Sequence, residues 1–272
     1  VKLIQKKDWY WDMSVNGYTY ANKMLNLPDE YKVSGMPNGN QRIYEGKDIY
    51  RWEMRQFAGL DEKGNSLWYM DQDILDDAGN VVGVEKVTTG DATEATQYLL
   101  EKSALPDFTG GLNTTLRWKS LDLTIMTNFQ FGGYGYDYDF SAFSSANFPM
   151  NRLKNYADAW NPETGKGSAP IWNTNDSNIN ASSDRFLISK TYFNLRNITL
   201  GYTFPANWMS KIGIKSVRVY FACDNVFFAS KRKGYDPRTS MGGQGATVAL
   251  NSVDGTYYSP IRTTSVGLNI NF

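Results

Sequence analysis

Residues 112–131 read LNTTLRWKSLDLTIMTNFQF. In the first half, Leu112, Thr114, Leu116 and Trp118 alternate with Asn113, Thr115 and Arg117. In the second, Leu121, Leu123, Ile125, Thr127, Phe129 and Phe131 alternate with Asp122, Thr124, Met126, Asn128 and Gln130. A period of two, broken only at Lys119-Ser120, predicts two antiparallel strands joined by a tight turn. Each half is close to the roughly 9–11 residues that a tilted strand needs to cross a bilayer. A water-soluble sheet would alternate in the same way. The question is whether the apolar face meets a protein core or lipid.

Working outward from this hairpin, Trp9, Trp11, Met13 and Val15 alternate with Tyr10, Asp12, Ser14 and Asn16, which predicts a first strand over 9–21 running on towards Leu25. A second strand region is expected over 42–57, with Tyr50, Trp52 and Met54 on one side and Ile49, Arg51, Glu53 and Arg55 on the other. Residues 60–65 form a turn, followed by a polar loop to Ala104 that holds a short hairpin of its own. After Phe131 a long irregular stretch runs to Arg185, with one short helix expected around 150–160. The strand over 191–204 changes apolar phase near Arg196-Asn197, which predicts a bulge. Residues 205–213 read as a short connection with one helical turn. Val217, Val219, Phe221 and Cys223 mark the next strand, 231–256 a glycine-rich loop, and Val266, Leu268, Ile270 and Phe272 the last strand. The total is about seven strands, with connections alternating between long and short.

Loops of this length argue against a compact soluble domain. They are expected on the outer face of a membrane barrel, whose periplasmic turns are short. On that reading Asp122, Asn128, Gln130, Arg218, Asn269 and Asn271 face a wet lumen and the Leu/Ile/Phe positions face lipid. The fold class expected is therefore all-β, an antiparallel transmembrane β-barrel segment with long extracellular loops. In a soluble sandwich the same apolar face would be core.

The composition narrows the chemistry. Of 272 residues, 41% are hydrophobic and 15% aromatic, and 28 acidic side chains balance 28 basic ones. The mean hydropathy is nonetheless negative, which suits strands that are apolar on one side only. Zero net charge gives no support for a nucleic-acid partner, which usually needs a basic patch. Histidine is absent, which removes serine–histidine triads and histidine–zinc sites. The single cysteine, Cys223, excludes an intrachain disulfide framework. No run approaches the roughly 18 apolar residues of a transmembrane helix. The first residues carry neither a signal-peptide core nor a methionine, so the chain is expected to be a piece of a longer protein.

The chain ends in TTSVGLNINF, with Phe272 in phase with Val266, Leu268 and Ile270. These four positions resemble the assembly signal by which outer-membrane barrels are recognised for insertion. The wider match is LPDFTGGLNTTLRWKSLDLTIMTNFQFGGYGYD at 105–137, where a Pro–aromatic–Thr–Gly–Gly run leads into a hairpin ending in Gln-Phe-Gly-Gly. With FLISKTYFNLRNITLGYTFP at 186–205, VRVYFACDNVFFASKRKGYDP at 217–237 and SPIRTTSVGLNINF at 259–272, it resembles the C-terminal region of the SusC/RagA family of TonB-dependent outer-membrane transporters. The resemblance implies that residues 1–272 are about the last third of a 22-stranded plugged barrel. The plug domain, the TonB-contacting box and the N-terminal strands lie outside this sequence. It also implies a bacterial outer-membrane location, a SusD-like lipoprotein and the TonB complex as partners, and a glycan or peptide ligand.

Candidate contacts for that ligand come from the loops. GGYGYDYD at 132–139 offers Tyr134, Tyr136 and Tyr138, whose faces stack on sugar rings. The same run also reads as an interfacial aromatic girdle followed by loop glycines, which is the preferred reading. Trp172 and Asn173 complete the set of candidate substrate contacts. NTNDSNINASSD at 173–184 is rich in oxygen ligands but lacks the Gly and Glu spacing of a calcium-binding EF-hand loop. A solvated turn-rich loop is preferred to loop-bound calcium there, and no other cofactor is expected. The sequons at Asn113 and Asn197 fall mid-strand, which argues against glycosylation. Arg117, Arg196 and Arg218 are expected to face the lumen and pair with plug carboxylates, since on lipid each would cost about 2–4 kcal/mol. Asp61, Asp71, Asp73, Asp76 and Asp77 lie in a flexible acidic loop with no sign of the fixed carboxylate separation a glycosidase needs.

No catalysis is expected. The leading reading is TonB-dependent import of a nutrient, an oligosaccharide before a peptide, together with the lipoprotein. A soluble or surface-attached β-sandwich carbohydrate-binding module is the alternative. On the leading reading, 60–104, 132–185 and 228–257 lie outside the cell, where a lipoprotein lid would close over ligand. Lys119-Ser120 and 205–213 lie in the periplasm, with Trp118 in the lower aromatic girdle.

Overall fold

The computed structural model describes residues 1–19, 21–144, 154–173, 178–179, 181–231 and 261–272. The chain opens with β1 (Lys2–Gln5) and β2 (Trp9–Tyr18). Seven short or protruding strands follow: β3 (Met36–Asn38), β4 (Gln41–Ile43), β5 (Arg51–Arg55), β6 (Phe57–Leu60), β7 (Ser66–Leu75), β8 (Val81–Thr89) and β9 (Gln97–Ser103). The hairpin that opened the sequence reading is β10 (Phe108–Trp118) and β11 (Leu121–Phe131). After it come β12 (Tyr134–Tyr136), α1 (Tyr138–Phe143), β13 (Leu187–Ser189) and β14 (Tyr192–Thr203). The chain finishes with α2 (Ala206–Met209), β15 (Ser216–Ser230) and β16 (Thr263–Asn271).

Seven strands form one antiparallel wall in the order β1-β2-β10-β11-β14-β15-β16. Strands β10 and β11 pair without interruption from Phe108↔Phe131 to Trp118↔Leu121. Their turn is closed by Lys119, whose φ of 51° lies in the left-handed region. The expected bulge is present: Arg196 is skipped in the pairing of β14 with both β11 and β15. That extra residue keeps Phe193 and Leu195 on the same face as Ile198, Leu200 and Tyr202. Without it, every later side chain would be turned to the opposite face.

The registers place one continuous apolar face across the wall. A single row runs Trp11, Leu116, Leu123, Leu200, Phe221, Val266. This face lies open: Phe131 is 52% exposed, Phe227 53% and Val266 75%. Exposed apolar patches on soluble monomers rarely exceed a few hundred Å². Two threonine hydroxyls on the apolar face are satisfied internally, as a hydrocarbon environment favours. Thr114 accepts from Trp11 Nε1 at 2.8 Å and donates to the Asp12 carbonyl, and Thr127 donates to the Leu112 carbonyl. Aromatic side chains cluster at the two ends of the band. Trp9 and Trp118 meet at 5.8 Å beside the Lys119-Ser120 turn, and Phe108, Phe129 and Phe131 cluster at the other end. Among the described residues no helix is long and apolar enough to cross a membrane, which says nothing of a barrel.

Two strand expectations need correction. The region 42–57 is not a wall strand; β2 pairs directly with β10, and the seventh strand of the wall is β1 at its edge. Trp52 and Met54 are buried in a core with Leu100, Ala104, Tyr136, Phe186 and Leu187. Glu53, on the other side of β5, is buried too, held by Arg42 Nε at 2.7 Å and the Tyr44 hydroxyl at 2.8 Å. A strand covered on both sides belongs to a packed loop domain. The first strand also ends at Tyr18 rather than running on towards Leu25. In the second connection the helix is α1, capped by Asp137 accepting from the Phe140 N–H. Residues 154–158 form a 3-10 turn, and 150–153 lie outside the described residues. The short connection after β14 does contain a helical turn, α2, continued by a 3-10 turn at Ser210–Ile212 that ends at Gly213 with φ 73°. All the long connections leave from the Tyr18, Phe108 and Phe131 end of the wall, and the short turns lie at the opposite end.

Candidate functional site

The wall's second face is polar. Asp122, Asn128, Gln130, Arg218, Asn269 and Asn271 share it, as the registers of β11, β15 and β16 require. Arg218 forms a two-point ion pair with Asp122 across the intervening strand β14, at 3.0 and 2.5 Å. The strand between them offers Gly201, where a Cβ would stand 2.2 Å from the Arg218 guanidinium. Arg218 also lies over the Tyr220 ring, and Arg117 over Tyr10 at 5.7 Å. Arg196 sits at the bulge and is exposed. Further along this face Asn197 donates to Asp224 at 2.8 Å, Asn128 to the Tyr192 hydroxyl and Gln130 to the Lys190 carbonyl. At the loop end the Lys190 ammonium donates to the Ala104 carbonyl, and burial pushes its pKa below the ordinary lysine value.

Above the wall the two described connections knit together. Strand β12 pairs with β13, and Trp52 Nε1 donates to the Tyr134 carbonyl at 3.2 Å. Tyr134 is half-buried, with Lys102 over its ring. Tyr136 is 3% exposed and packs edge-on against Phe186. Its ring is core and closed to a ligand. Tyr138, 48% exposed, abuts Tyr136 and keeps an accessible ring; Trp172 is 47% exposed and Asn173 half-buried. Val266, Leu268 and Ile270 lie exposed on the apolar face of β16, and Phe272 is exposed just past its end.

The acidic residues serve turns and anchors. Asp61 accepts from the Lys63 and Asn65 N–H groups, and Asp76 from Ala78 and Asn80. These backbone bonds, that from Asn80 first, hold the Asp76 carboxyl below its usual range. Asp71 accepts from the Tyr98 hydroxyl, and Asp184 from the Phe57 N–H. Among the described residues no three acidic or cysteine side chains stand together as a metal site; residues 174–177 and 180 of the oxygen-rich run, and 232–257 of the last long loop, lie outside the described residues.

One feature escaped the sequence reading. Leu60, Asp61, Glu62, Trp160, Gly165, Lys166 and Gly167 line an open hollow of about 600 Å³. The 61–65 turn lies against the Trp160 indole, where a Cβ on Gly64 would stand 2.5 Å from the ring. Only the glycines around Trp160 hinted at this, because the two loops are about a hundred residues apart.

Comparison with known proteins places this geometry. No protein-family profile matches the chain. It is 24% identical over 290 residues to TonB-dependent receptor P3 of Formosa agariphila, covering 99% of this chain and 27% of that protein. It is 25% identical over 278 residues to TonB-dependent receptor SusC of Bacteroides thetaiotaomicron, covering 100% of this chain and 25% of that protein. The chain thus spans about a quarter of the length of the curated relatives it matches. The RagAB peptide transporter aligns over 100% of this chain and 28% of its own, at 25% identity and a TM-score of 0.77. The similarity to TonB-dependent receptors therefore runs the length of the chain, and the seven-stranded antiparallel wall is similar to an arc of a transporter β-barrel.

Proposed function

We propose that the chain is the C-terminal portion of a TonB-dependent transporter that imports a nutrient across a bacterial outer membrane together with a SusD-like surface lipoprotein. The carrying observation is the wall itself: an uncovered apolar face with aromatic ends on one side, and a hydrogen-bonded polar face on the other. A β-sandwich binding module would cover that apolar face with a second sheet. The apolar face meets lipid, the polar face lines the lumen against a plug supplied by the rest of the protein, and the long connections lie outside the cell.

The ligand assigned is an oligosaccharide. The exposed rings of Tyr138 and Trp172 are surfaces on which sugar rings stack, and the separate hollow where Trp160 stands beside Asp61, Glu62 and Lys166 offers an indole with carboxylate and ammonium groups for sugar hydroxyls. A peptide is the second reading, favoured by the similarity to a peptide transporter. This chain contributes binding and a gated wall rather than catalysis. Calorimetry on the full-length protein, purified with its lipoprotein and titrated against oligosaccharide and peptide panels, tests the assignment. Saturable oligosaccharide binding is expected. Binding of peptides alone would replace the ligand, and failure of the chain to fractionate with the outer membrane would sink the transporter reading.

A further inference from the structure

At the end of the wall opposite the long connections, the short turns bring lysines and tryptophans together. In the β1–β2 turn, Lys6 and Trp9 exchange both backbone hydrogen bonds, at 2.8 and 3.3 Å. They therefore stand directly opposite each other and share a face of the wall. That face is the apolar one, on which Trp9 meets Trp118. At the next turn the Lys119 ammonium lies 5.4 Å from the centre of the Trp118 ring. The two turns touch, because the Lys119 N–H donates to the Asp8 carbonyl at 2.9 Å. Between β14 and β15, Lys211 follows the exposed Trp208 by three residues along the helical turn, the spacing of helix neighbours. Lys215 lies one step beyond the pair Ser216↔Asn271, which sets it opposite Phe272 and in phase with Val217.

The charge is one-sided. Residues 6–8, 119–120 and 204–215 hold five lysines and one acid, Asp8, in a chain whose total charge is zero. Lys6, Lys7, Lys119, Lys211 and Lys215 are all exposed. Among the described residues none of their ammonium groups has an ion pair or a hydrogen bond. This rim is continuous with the uncovered apolar face that the transporter reading assigns to lipid. Tryptophans mark the level at which hydrocarbon gives way to headgroups. A lysine at that level lays its methylene stem along apolar surface and holds its ammonium among the headgroups, where it meets phosphate. A zwitterionic surface has no net charge to hold five lysines, whereas an anionic one binds each about fivefold more tightly.

We propose that this rim binds anionic phospholipid of the periplasmic leaflet through the headgroup phosphates. The proposal rests on the transporter reading above, which sets these turns in the periplasm. Lys6 and Lys119 form one headgroup seat beside the Trp9–Trp118 pair, and Lys211 and Lys215 form a second near Trp208. The contact fixes the depth of the wall in the bilayer at its short-turn end.

Native mass spectrometry tests this on the full-length protein, taken from its outer membrane into micelles holding equal amounts of phosphatidylglycerol and phosphatidylethanolamine. The unaltered protein should retain phosphatidylglycerol in preference, and less of it at high salt. Lys6→Gln/Lys119→Gln/Lys211→Gln/Lys215→Gln should lower that retention at least about tenfold. Lys6→Arg/Lys119→Arg/Lys211→Arg/Lys215→Arg, which keeps the charge, should preserve it. Should the glutamine variant fail to reach the membrane, a phosphatidylglycerol with a photoreactive headgroup is incorporated around the unaltered protein. Attachment at residues 6–9, 118–119 and 208–215 then supports the rim. Unchanged retention by the glutamine variant, equal retention of both lipids by the unaltered protein, or attachment only elsewhere overturns it and leaves the transporter reading intact. Displacement of the lipid by inorganic phosphate, where chloride of equal ionic strength displaces none, makes this a site for a free anion and also overturns it. If the unaltered protein is not recovered from the outer membrane at all, the transporter reading itself falls and the rim with it.

Discussion

Arg218 of β15 reaches over Gly201 of β14 to grip both carboxylate oxygens of Asp122 on β11, so three strands of the wall are tied at one level. Gly201 makes this possible by having no side chain. Gly201→Leu is expected to expel the guanidinium and destabilise the wall by about 1–3 kcal/mol, the usual size for an orphaned, partly buried polar group. Asp122→Ala should cost a similar amount. Because both substitutions remove one interaction, the double variant should be little worse than either single variant. Denaturant midpoints in detergent would show this; additive losses would mean that Gly201 does not serve the pair.

Neighbouring residues of β11 face opposite environments. Ile125 lies on the apolar face and Thr124 on the polar one, where its hydroxyl stands 3.5 Å from that of Thr115. Ile125→Arg should lower stability in lipid vesicles by roughly 2–4 kcal/mol, whereas Thr124→Arg should be tolerated in a wet lumen. Equal penalties at the two positions would overturn the assignment of faces.

The Trp11–Thr114 contact is a smaller test of the same environment. The indole N–H of Trp11 has Thr114 as its acceptor at 2.8 Å on a face where lipid offers none. Thr114→Val should therefore cost about 1–3 kcal/mol, and Trp11→Phe in the same background should recover most of it. Folding of the barrel followed by tryptophan fluorescence separates the outcomes. No recovery in the double variant would mean that Thr114 acts through packing instead.

Why the opening hairpin was legible in the sequence, and 42–57 was misplaced, follows from what alternation encodes. In β10 and β11 each partner is close in sequence and each face keeps one character, so the pattern contains the pairing. Tyr50, Trp52 and Met54 alternate just as clearly, but the same pattern results whether the apolar side meets lipid or the loop core around Phe186. Only the burial of Glu53 by Arg42 and Tyr44 distinguishes them, and that depends on contacts in space. Strand β1 is four residues long with lysines around it, too short to show a period. At the candidate site Tyr136 and Tyr138 have the same parity in the sequence. What buries one and leaves the other open is Phe186, about fifty residues away.

The root of the β7–β8 hairpin can be read by pH. Burial, reinforced by the hydrogen bond that Tyr98 donates to Asp71 at 2.5 Å, pushes the Tyr98 phenol up to about 12 from its ordinary value near 10.0. The folded hairpin thus holds this proton more tightly than the unfolded chain does. The stabilisation that results is complete below about pH 10 and is lost as pH rises through 12. In a tyrosinate absorbance titration of the folded protein, Tyr98 should ionise late. Asp71→Asn should bring it partway back towards 10, since burial remains. Tyr98→Phe should diminish the late component, to which Tyr44, Tyr136 and Tyr138 also contribute because burial raises them too, and flatten the loss of proteolytic protection of the hairpin over that range. A late component of unchanged size in Tyr98→Phe would belong wholly to the other tyrosines, and the link between Tyr98, Asp71 and the anchoring of the hairpin would fail.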